Sequence, residues 1–224
     1  QTADLHPYCR LDSRDWLTHC LNIIDGNIQQ EPHSMPSPGA QPVFDSRPPN
    51  VPDGAMLQHF KGVEIKAAQP CFSPDTAILM DFRCDQSRGI HFIYLLPYSP
   101  TEALVESTML SPKRQNDEFY AEAIKTYLET YWETGGWQVN HSEQGCIPMA
   151  FVQPVNLDYL PIGANGGCVR PSSGYAFAFI QKHTDAIVDR LVLNGPAHLT
   201  LATMPRPISR FNLFLDRIFL HVIR

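Results

Sequence analysis

The sequence lacks any Cys-x-x-Cys pair, any His at metal-finger spacing and any two His four apart on one helix face, so the common zinc sites are disfavoured. It also lacks a basic excess. Seventeen Lys and Arg stand against 23 Asp and Glu, a formal net charge of -6, which argues against the broad positive face that binds a phosphate backbone and so against nucleic acid as a partner. No run approaches the roughly 20 consecutive apolar residues of a spanning helix, so the polypeptide is not expected to cross a membrane. The start, Gln1-Thr2-Ala3-Asp4, has neither an initiator Met nor an apolar signal core, and the sequence reads as an excised or incomplete piece. The six cysteines, at 9, 20, 71, 84, 146 and 168, are scattered and read as reduced thiols of a cytoplasmic protein.

What is present suits one globular domain or two small ones. The 224 residues are 43% hydrophobic and 18% charged, too apolar for disorder. Residues 9–25 carry a helical stripe of Trp16, Leu17, Cys20, Leu21 and Ile24, with Asp12 or Ser13 able to cap it. Residues 31–54 hold seven of the 20 prolines and read as a loop, interrupted by a short extended stretch at Pro42 to Asp45. From Leu57 to Ser111 the pattern turns extended. The turn at Asp85 to Gly89 joins two apolar runs as a hairpin, Pro97 to Thr101 make a second turn, and at least three strands form a meander with two faces. Asn116 or Asp117 caps a helix bearing Phe119, Ala123, Tyr127, Leu128 and Tyr131, stopped by Gly135-Gly136, and Trp137 to Met149 is extended again. The run from Leu157 to Ile162 leads into a glycine-rich turn and a helix reaching about Leu193, and Ser209 to Arg224 form a last amphipathic helix.

Four constellations carry potential chemistry. The first is Gly163 to Tyr175, where Gly163, Gly166 and Gly167, a helix-starting Pro171 and the hydroxyls of Ser172 and Ser173 offer backbone N–H groups and a helix dipole to an anion or cofactor. The same density also suits a tight turn made for packing. The second is Glu106, which on a strand shares a face with Leu104 and Thr108. On a solvated face it is an ordinary surface acid; against an apolar cavity, desolvation would raise its pKa and make it a proton donor near neutrality. Asp45 with Arg47 and Asp81 with Arg83 complete the set, and surface ion pairing accounts for both.

Taken in order, several segments resemble the FAD-dependent lycopene cyclase family of carotenoid biosynthesis, its bacterial branch in particular. They are Val43-Phe44-Asp45-Ser46-Arg47, Leu57 to Ile65, Ile78-Leu79-Met80-Asp81-Phe82, Phe92 to Ser99, Ala103 to Thr108, Gly145 to Met149, and Ile162-Gly163 through Arg170-Pro171-Ser172-Ser173-Gly174-Tyr175. The tail Leu215 to Leu220 is similar to the family's late helix. The resemblance implies an α/β (α+β) flavoprotein fold with an antiparallel substrate sheet inserted into an FAD-binding domain. Residues 1–54 and 155–192 would belong to the flavin domain, 55–154 to the sheet and its helix, and 193–224 to a C-terminal helical segment. The glycine-rich βαβ fingerprint near the family's N-terminus is absent, so the chain is expected to be the middle and later part of a cyclase.

The resemblance further implies conversion of the acyclic ends of lycopene to β-ionone rings, through γ-carotene to β-carotene, without net redox change. Glu106 would be the catalytic acid or the carboxylate that stabilises the cation. Phe92, Tyr94, Tyr98 and Tyr175 would contact substrate, although each of the first three taken singly reads first as ordinary core. Reduced FAD, sustained by NADPH, would be held by Asp45, Arg47, Gly163, Asn165, Gly166, Gly167, Arg170, Pro171, Ser172, Ser173 and Gly174. Three positions depart from the family pattern: Ser107 where an acid often follows the catalytic Glu, Ala164-Asn165 where many flavoproteins carry an acid, and Arg170 where many relatives carry His. Because lycopene dissolves in the bilayer, the enzyme would work at the inner face of the membrane, with the tail helix in the interface or packed as core. Two rival classes stay open: a flavoprotein hydroxylase or isoprenoid reductase of the same fold, and a non-catalytic carotenoid-binding relative.

Overall fold

The computed structural model describes residues 12–24 and 41–223. The chain divides into a short unit, residues 1–37, and a larger one, residues 38–224. In the first, helix α1 (Ser13–Ile24) begins with the Asp12 carboxylate accepting from the backbone N–H groups of Arg14 and Asp15, the side-chain cap expected of that residue. The ends of the expected helix at 9–11 and 25, and the proline-rich stretch through residue 40, lie outside the described residues.

The second unit runs β1 (Phe44–Asp45), β2 (Met56–Ala67), β3 (Ile78–Asp81), β4 (Ile90–Pro97), β5 (Glu102–Ser111), α2 (Asp117–Tyr131), β6 (Trp137–Met149), β7 (Leu160–Pro161), α3 (Phe177–Asn194) and α4 (Arg210–Val222). Strands β1 and β7 pair in parallel, Phe44 opposite Leu160. Everything from β2 to β6 is inserted between them as a five-stranded antiparallel sheet of order β3-β4-β5-β2-β6. The expected meander is its β3-β4-β5 portion. Strand β2, first in sequence, instead closes the other side of β5 and pairs with β6 on its far edge.

The sheet has two differently used faces because side chains alternate along each strand. Val63, Ile65, Ile93, Leu95, Ala103 and Val105 point to one side and bury against Ile124, Tyr127 and Leu128 of α2. Helix α2 starts where expected, with the Asn116 side chain accepting from the Phe119 N–H at 3.1 Å. It ends earlier than the glycines suggest: Trp132 already adopts φ -133°, ψ 126°, and Gly135 and Gly136, at φ 66° and 103°, form the reversal into β6. Two buried histidines complete this layer, His91 with its Nε2 2.8 Å from Ser107 Oγ, and His59 bridging Ser111 Oγ and the Tyr120 hydroxyl at 2.8 and 2.6 Å.

Asp81 is more than a surface partner of Arg83. Its buried carboxylate takes the Arg83 guanidinium through Nε and Nη2 and also accepts from the Tyr127 hydroxyl at 2.8 Å, so it ties the β3-β4 hairpin to α2. On the other side of the sheet, α4 is capped by Ser209 and packs Leu220 and Ile223 beside Met56, Phe92 and Leu110. Its buried Asp216 receives a bidentate bond from Arg170 Nε and Nη2, at 2.9 Å to Oδ2 and 2.6 Å to Oδ1, and another from the Ser172 hydroxyl.

Two outcomes follow for stability. Arg83, and then Tyr127, hold the Asp81 carboxyl well below the usual carboxylate range, so its contribution is complete above the unfolded pKa of about 4 and is lost as the pH falls from there. Urea unfolding of Asp81→Asn is expected to show a deficit at pH 7 that narrows below about pH 4, whereas a deficit independent of pH would contradict this account. Asp216→Asn leaves Arg170 without its counter-charge and is expected to cost roughly 3 kcal/mol at neutral pH in the same measurement. A loss below about 1 kcal/mol would show that α4 is not anchored through this pair.

Candidate functional site: a carboxylic acid on the open face of the sheet

Glu106 lies on β5, the central strand, and points away from α2. Register places Tyr94 of β4 directly opposite on one side and Gly62 of β2 on the other, with Glu143 of β6 opposite Gly62. These four positions form one row across the sheet. The neighbouring rows are Leu96, Leu104, Glu64 and His141 on one side and Phe92, Thr108, Phe60 and Gly145 on the other. The surroundings of the Glu106 carboxyl therefore combine aromatic and aliphatic groups and a glycine with the Thr108 hydroxyl and the Glu143 carboxylate. Burial pushes its pKa up to about 7, Glu143 pushes in the same direction, and the hydrogen bond from Thr108 Oγ1 to Oε1, 2.5 Å long, opposes them. Of the two settings open to this residue in the sequence, the structure has the desolvated one.

Glycine at two positions of this face makes room for its neighbours. A Cβ on Gly62 would stand 3.2 Å from both Glu143 Cγ and Leu104 Cδ1, and one on Gly145 would sit 2.5 Å from the Phe60 ring. Glu143 thus leans over Gly62 toward the central strand, while Phe60 leans over Gly145 toward the β6 edge. Neither is marked by local sequence pattern, because their position depends on the non-sequential pairing of β2 with β5 and β6. Ser107, where the resemblance leads one to look for a second acid, points to the opposite face and binds His91. A period of two makes that unavoidable for any residue next to Glu106.

The expected substrate aromatics are not equivalent. Tyr94 is the cross-strand neighbour of Glu106. Phe92 is 6% exposed and packs with Met56, Leu110 and Leu220, so its ring is a wall of the core beneath α4. Tyr98 stands at the end of the same face and donates to Glu64 Oε1 at 3.2 Å. Tyr175 is 62% exposed beyond the glycine-rich turn.

That turn follows β7 and folds back on the end of β1. Asn165, buried, donates from Nδ2 to the Asp45 carbonyl at 3.1 Å and accepts from the Val155 N–H at 3.0 Å. Gly166 is required by the turn itself, since a Cβ would lie 2.6 Å from the Pro161 carbonyl oxygen. Gly163 and Gly167 adopt φ 59° and 77°, with no atom closer than 4.0 Å to a Cβ built on either. The expected polar contacts of the turn are already engaged within the protein. Arg47 grips the Asp45 carboxylate through Nε and Nη2 at 2.9 and 2.8 Å and lowers its pKa, while Arg170 and Ser172 hold Asp216. Pro171 does not start a helix: residues 170–174 form a turn closed by the Gly174 N–H to the Arg170 carbonyl, and α3 begins only at Phe177. Ser172 and Ser173 consequently lie outside the first turn of α3, and its N-terminal dipole is not aimed from Pro171. The space beside Gly163 and Gly167 leaves room for a cofactor edge to approach the backbone, while the Gly167 N–H and the Gly163 carbonyl are already bonded to Ala164 and Cys168 within the turn.

The turn and the acid belong to one face. A Cβ on Gly174, at φ 71°, would meet Gln58 Oε1 at 3.0 Å and Ile147 at 3.4 Å. Gln58 lies four residues from Gly62 along β2, so the turn meets the sheet roughly 13 Å from the Glu106 row. A separate cleft of about 460 Å³, lined by Arg83, His91, Phe119 and Tyr127, opens beside α2 and holds none of these groups. Among the described residues no three His, Cys, Asp or Glu side chains gather around a possible metal position. No described helix is long and apolar enough to cross a membrane.

Comparison with known proteins finds related sequences and a related fold. A lycopene beta-cyclase from a Paracoccus species is 31% identical over 150 residues, 62% of this chain and 37% of the relative. That of Pantoea ananas is 29% identical over 163 residues, 68% of this chain and 41% of the relative. The chain thus spans about two fifths of the length of these relatives. Among solved structures, a geranylgeranyl bacteriochlorophyll reductase-like protein from Thermoplasma acidophilum superposes with a TM-score of 0.54 at 11% identity, over 76% of this chain and 45% of that one, and so shares its fold. The model of the lycopene cyclase protein family matches residues 38–221, nearly all of the larger unit, and the chain belongs to that family.

Proposed function

We propose that the complete protein is a lycopene beta-cyclase that converts the acyclic ends of lycopene to β-ionone rings, through γ-carotene to β-carotene, and that Glu106 supplies the proton that starts ring closure. The observation that carries this reading is a carboxyl group poised near neutrality on the central strand of the sheet, beside Tyr94, Leu104 and Phe92, in a chain of the lycopene cyclase family. Lycopene is a hydrocarbon with no polar handle, so shape and dryness must position it. An acid still partly protonated near pH 7 then has work that an ordinary surface glutamate cannot do.

Because Thr108 donates to Oε1, the acidic proton of Glu106 is assigned to Oε2. That proton adds to the terminal double bond and leaves a tertiary cation, which the neighbouring double bond attacks to close the ring. Loss of one ring proton completes an isomerisation with no net gain of protons or electrons. The Tyr94 ring beside Glu106 offers a π face to the cation, and the Glu106 carboxylate left behind stabilises it further. The proposal includes FAD, held along Gly163 and Gly167 and sustained in its reduced form by NADPH; when bound, it would supply an electron-rich ring beside the positive charge. Contact with the inner face of the membrane belongs to the same reading. Helix α4 exposes Phe211, Phe214 and Ile218 on the side away from Asp216, with Arg210 and Arg217 on the same helix.

Pigment chromatography of a lycopene-accumulating bacterial host that expresses the complete reading frame tests the reaction. New γ- or β-carotene that disappears with Glu106→Gln is expected; unchanged lycopene from a folded, flavin-loaded protein would exclude the cyclase, and a product with added hydrogen would favour an isoprenoid reductase. Cyclisation is expected to fall as the pH rises through about 7, where Glu106 gives up its proton. Stability should move the opposite way to activity. Ionisation of Glu106 is resisted in the folded state, so Glu106→Gln is expected to gain stability progressively between about pH 4.3 and pH 7 and to keep that gain above it. A gain that does not vary with pH in urea unfolding would show that Glu106 is not desolvated.

A further inference from the structure

We propose that Glu143 is a second working carboxylate of this site, a positioning residue that faces Glu106 across the side-chain gap at Gly62 and keeps the proton of the pair on Glu106. The inference deepens the cyclase reading in one respect, since it rests on Glu106 as the proton donor. Its geometric basis does not depend on which substrate receives the proton.

Cross-strand register puts Glu106, Gly62 and Glu143 in a single row, on three adjacent strands and on one face. Two strand spacings separate the outer pair, about 10 Å between backbones. Any side chain larger than hydrogen at position 62 would stand between the carboxylates as a wall. Glycine leaves that space open, and Glu143 and Leu104 share it: Glu143 Cγ and Oε1 approach within 3.2 and 3.3 Å of where a Cβ would be, and Leu104 Cδ1 within 3.2 Å. The acid on the edge strand is thereby turned toward the acid on the central strand. Two neighbouring carboxylates resist double ionisation, and the proton stays with the member that is harder to hydrate. Glu106 is partly buried on the central strand and Glu143 is exposed at the edge, so Glu106 keeps it.

The other groups around Glu106 do not offer this effect. Thr108, on its own strand, donates to the carboxyl and favours the ionised form. Tyr94 faces it from β4. Glu64 and His141 lie one row away on β2 and β6, and Glu64 accepts from Tyr98. Lys61 points to the opposite face, toward Asp117. Ser107, next to Glu106 in sequence, cannot serve, because the pleat directs it to His91. A second acid that acts on this face has to come from another strand, and Glu143 is placed to be it.

The test follows the carboxylic-acid C=O stretch of the full-length, flavin-loaded protein by infrared spectroscopy as a function of pH, with the Glu106 band identified by its loss in Glu106→Gln. Glu143→Gln is expected to lower the Glu106 midpoint by roughly half a unit to one unit, and to move the upper limb of the pH–cyclisation profile down by the same amount. Glu143→Asp, which keeps the charge on a shorter arm, should restore part of the shift. Gly62→Ala, which leaves both acids in place but pushes Glu143 out of the gap, should lower the midpoint as well. An unshifted midpoint in Glu143→Gln would overturn the proposal even if the protein cyclises lycopene. A shifted midpoint in a protein that makes no cyclic carotene would leave the carboxylate pair standing and remove the cyclase reading instead.

Discussion

The pleat of β5 is the constraint on which the rest of this structure depends. One central strand has to furnish a core to α2 with Ala103 and Val105, and a reactive face with Leu104, Glu106 and Thr108. Alternation separates the two tasks by a single residue, so the same ten residues bury a hydrophobic layer and keep one carboxyl group out of it. A register slip of one residue would exchange Glu106 with Val105 or Ser107. Pairing on both sides, with β4 and with β2, fixes that register.

Around this strand the protein uses buried polar groups of two kinds. Asp81 and Asp216 are satisfied: each carries a guanidinium and a hydroxyl, and each joins elements distant in sequence. Among the described residues, Glu106 has one hydroxyl and no cation beside it. The first two act as fasteners, Asp81 being held ionised by Arg83, while the third sits near its own titration point. Burial is not the difference between them; the identity of the partner is. The free energy lost by holding an uncompensated acid is the kind of local conflict expected at a functional position and not in a scaffold.

Much of the scaffold is legible in the sequence because its signals are local. The alternation in β4 and β5, the Asn116 cap of α2 and the extended run from Trp137 to Met149 each depend on a few neighbouring residues. The candidate acid is legible too, as a Glu in an apolar alternating strand. What local pattern does not carry is the order of strands in space. Nothing near Met56 indicates that β2 lies between β5 and β6, so Gly62, Phe60 and Glu143 acquire their meaning only in the folded sheet. The same holds for Arg170 and Ser172, whose sequence context suggests a ligand site, although their partner Asp216 lies more than 40 residues away on α4. Pro171 misleads for a local reason: proline suits the first turn of a helix and equally the tight turn that Gly174 closes here.

The central claim is that Glu106 delivers a proton, not a hydride, to a hydrocarbon. Mass spectrometry of carotenoids formed by the complete, flavin-loaded protein in heavy water, beside its Glu106→Gln variant, tests this most directly. The account predicts one deuterium for each ring closed, no change in the number of double bonds plus rings, and no cyclic product from the variant. Cyclic product from the Glu106→Gln protein at the parent rate, or a product reduced by two hydrogens, would contradict it.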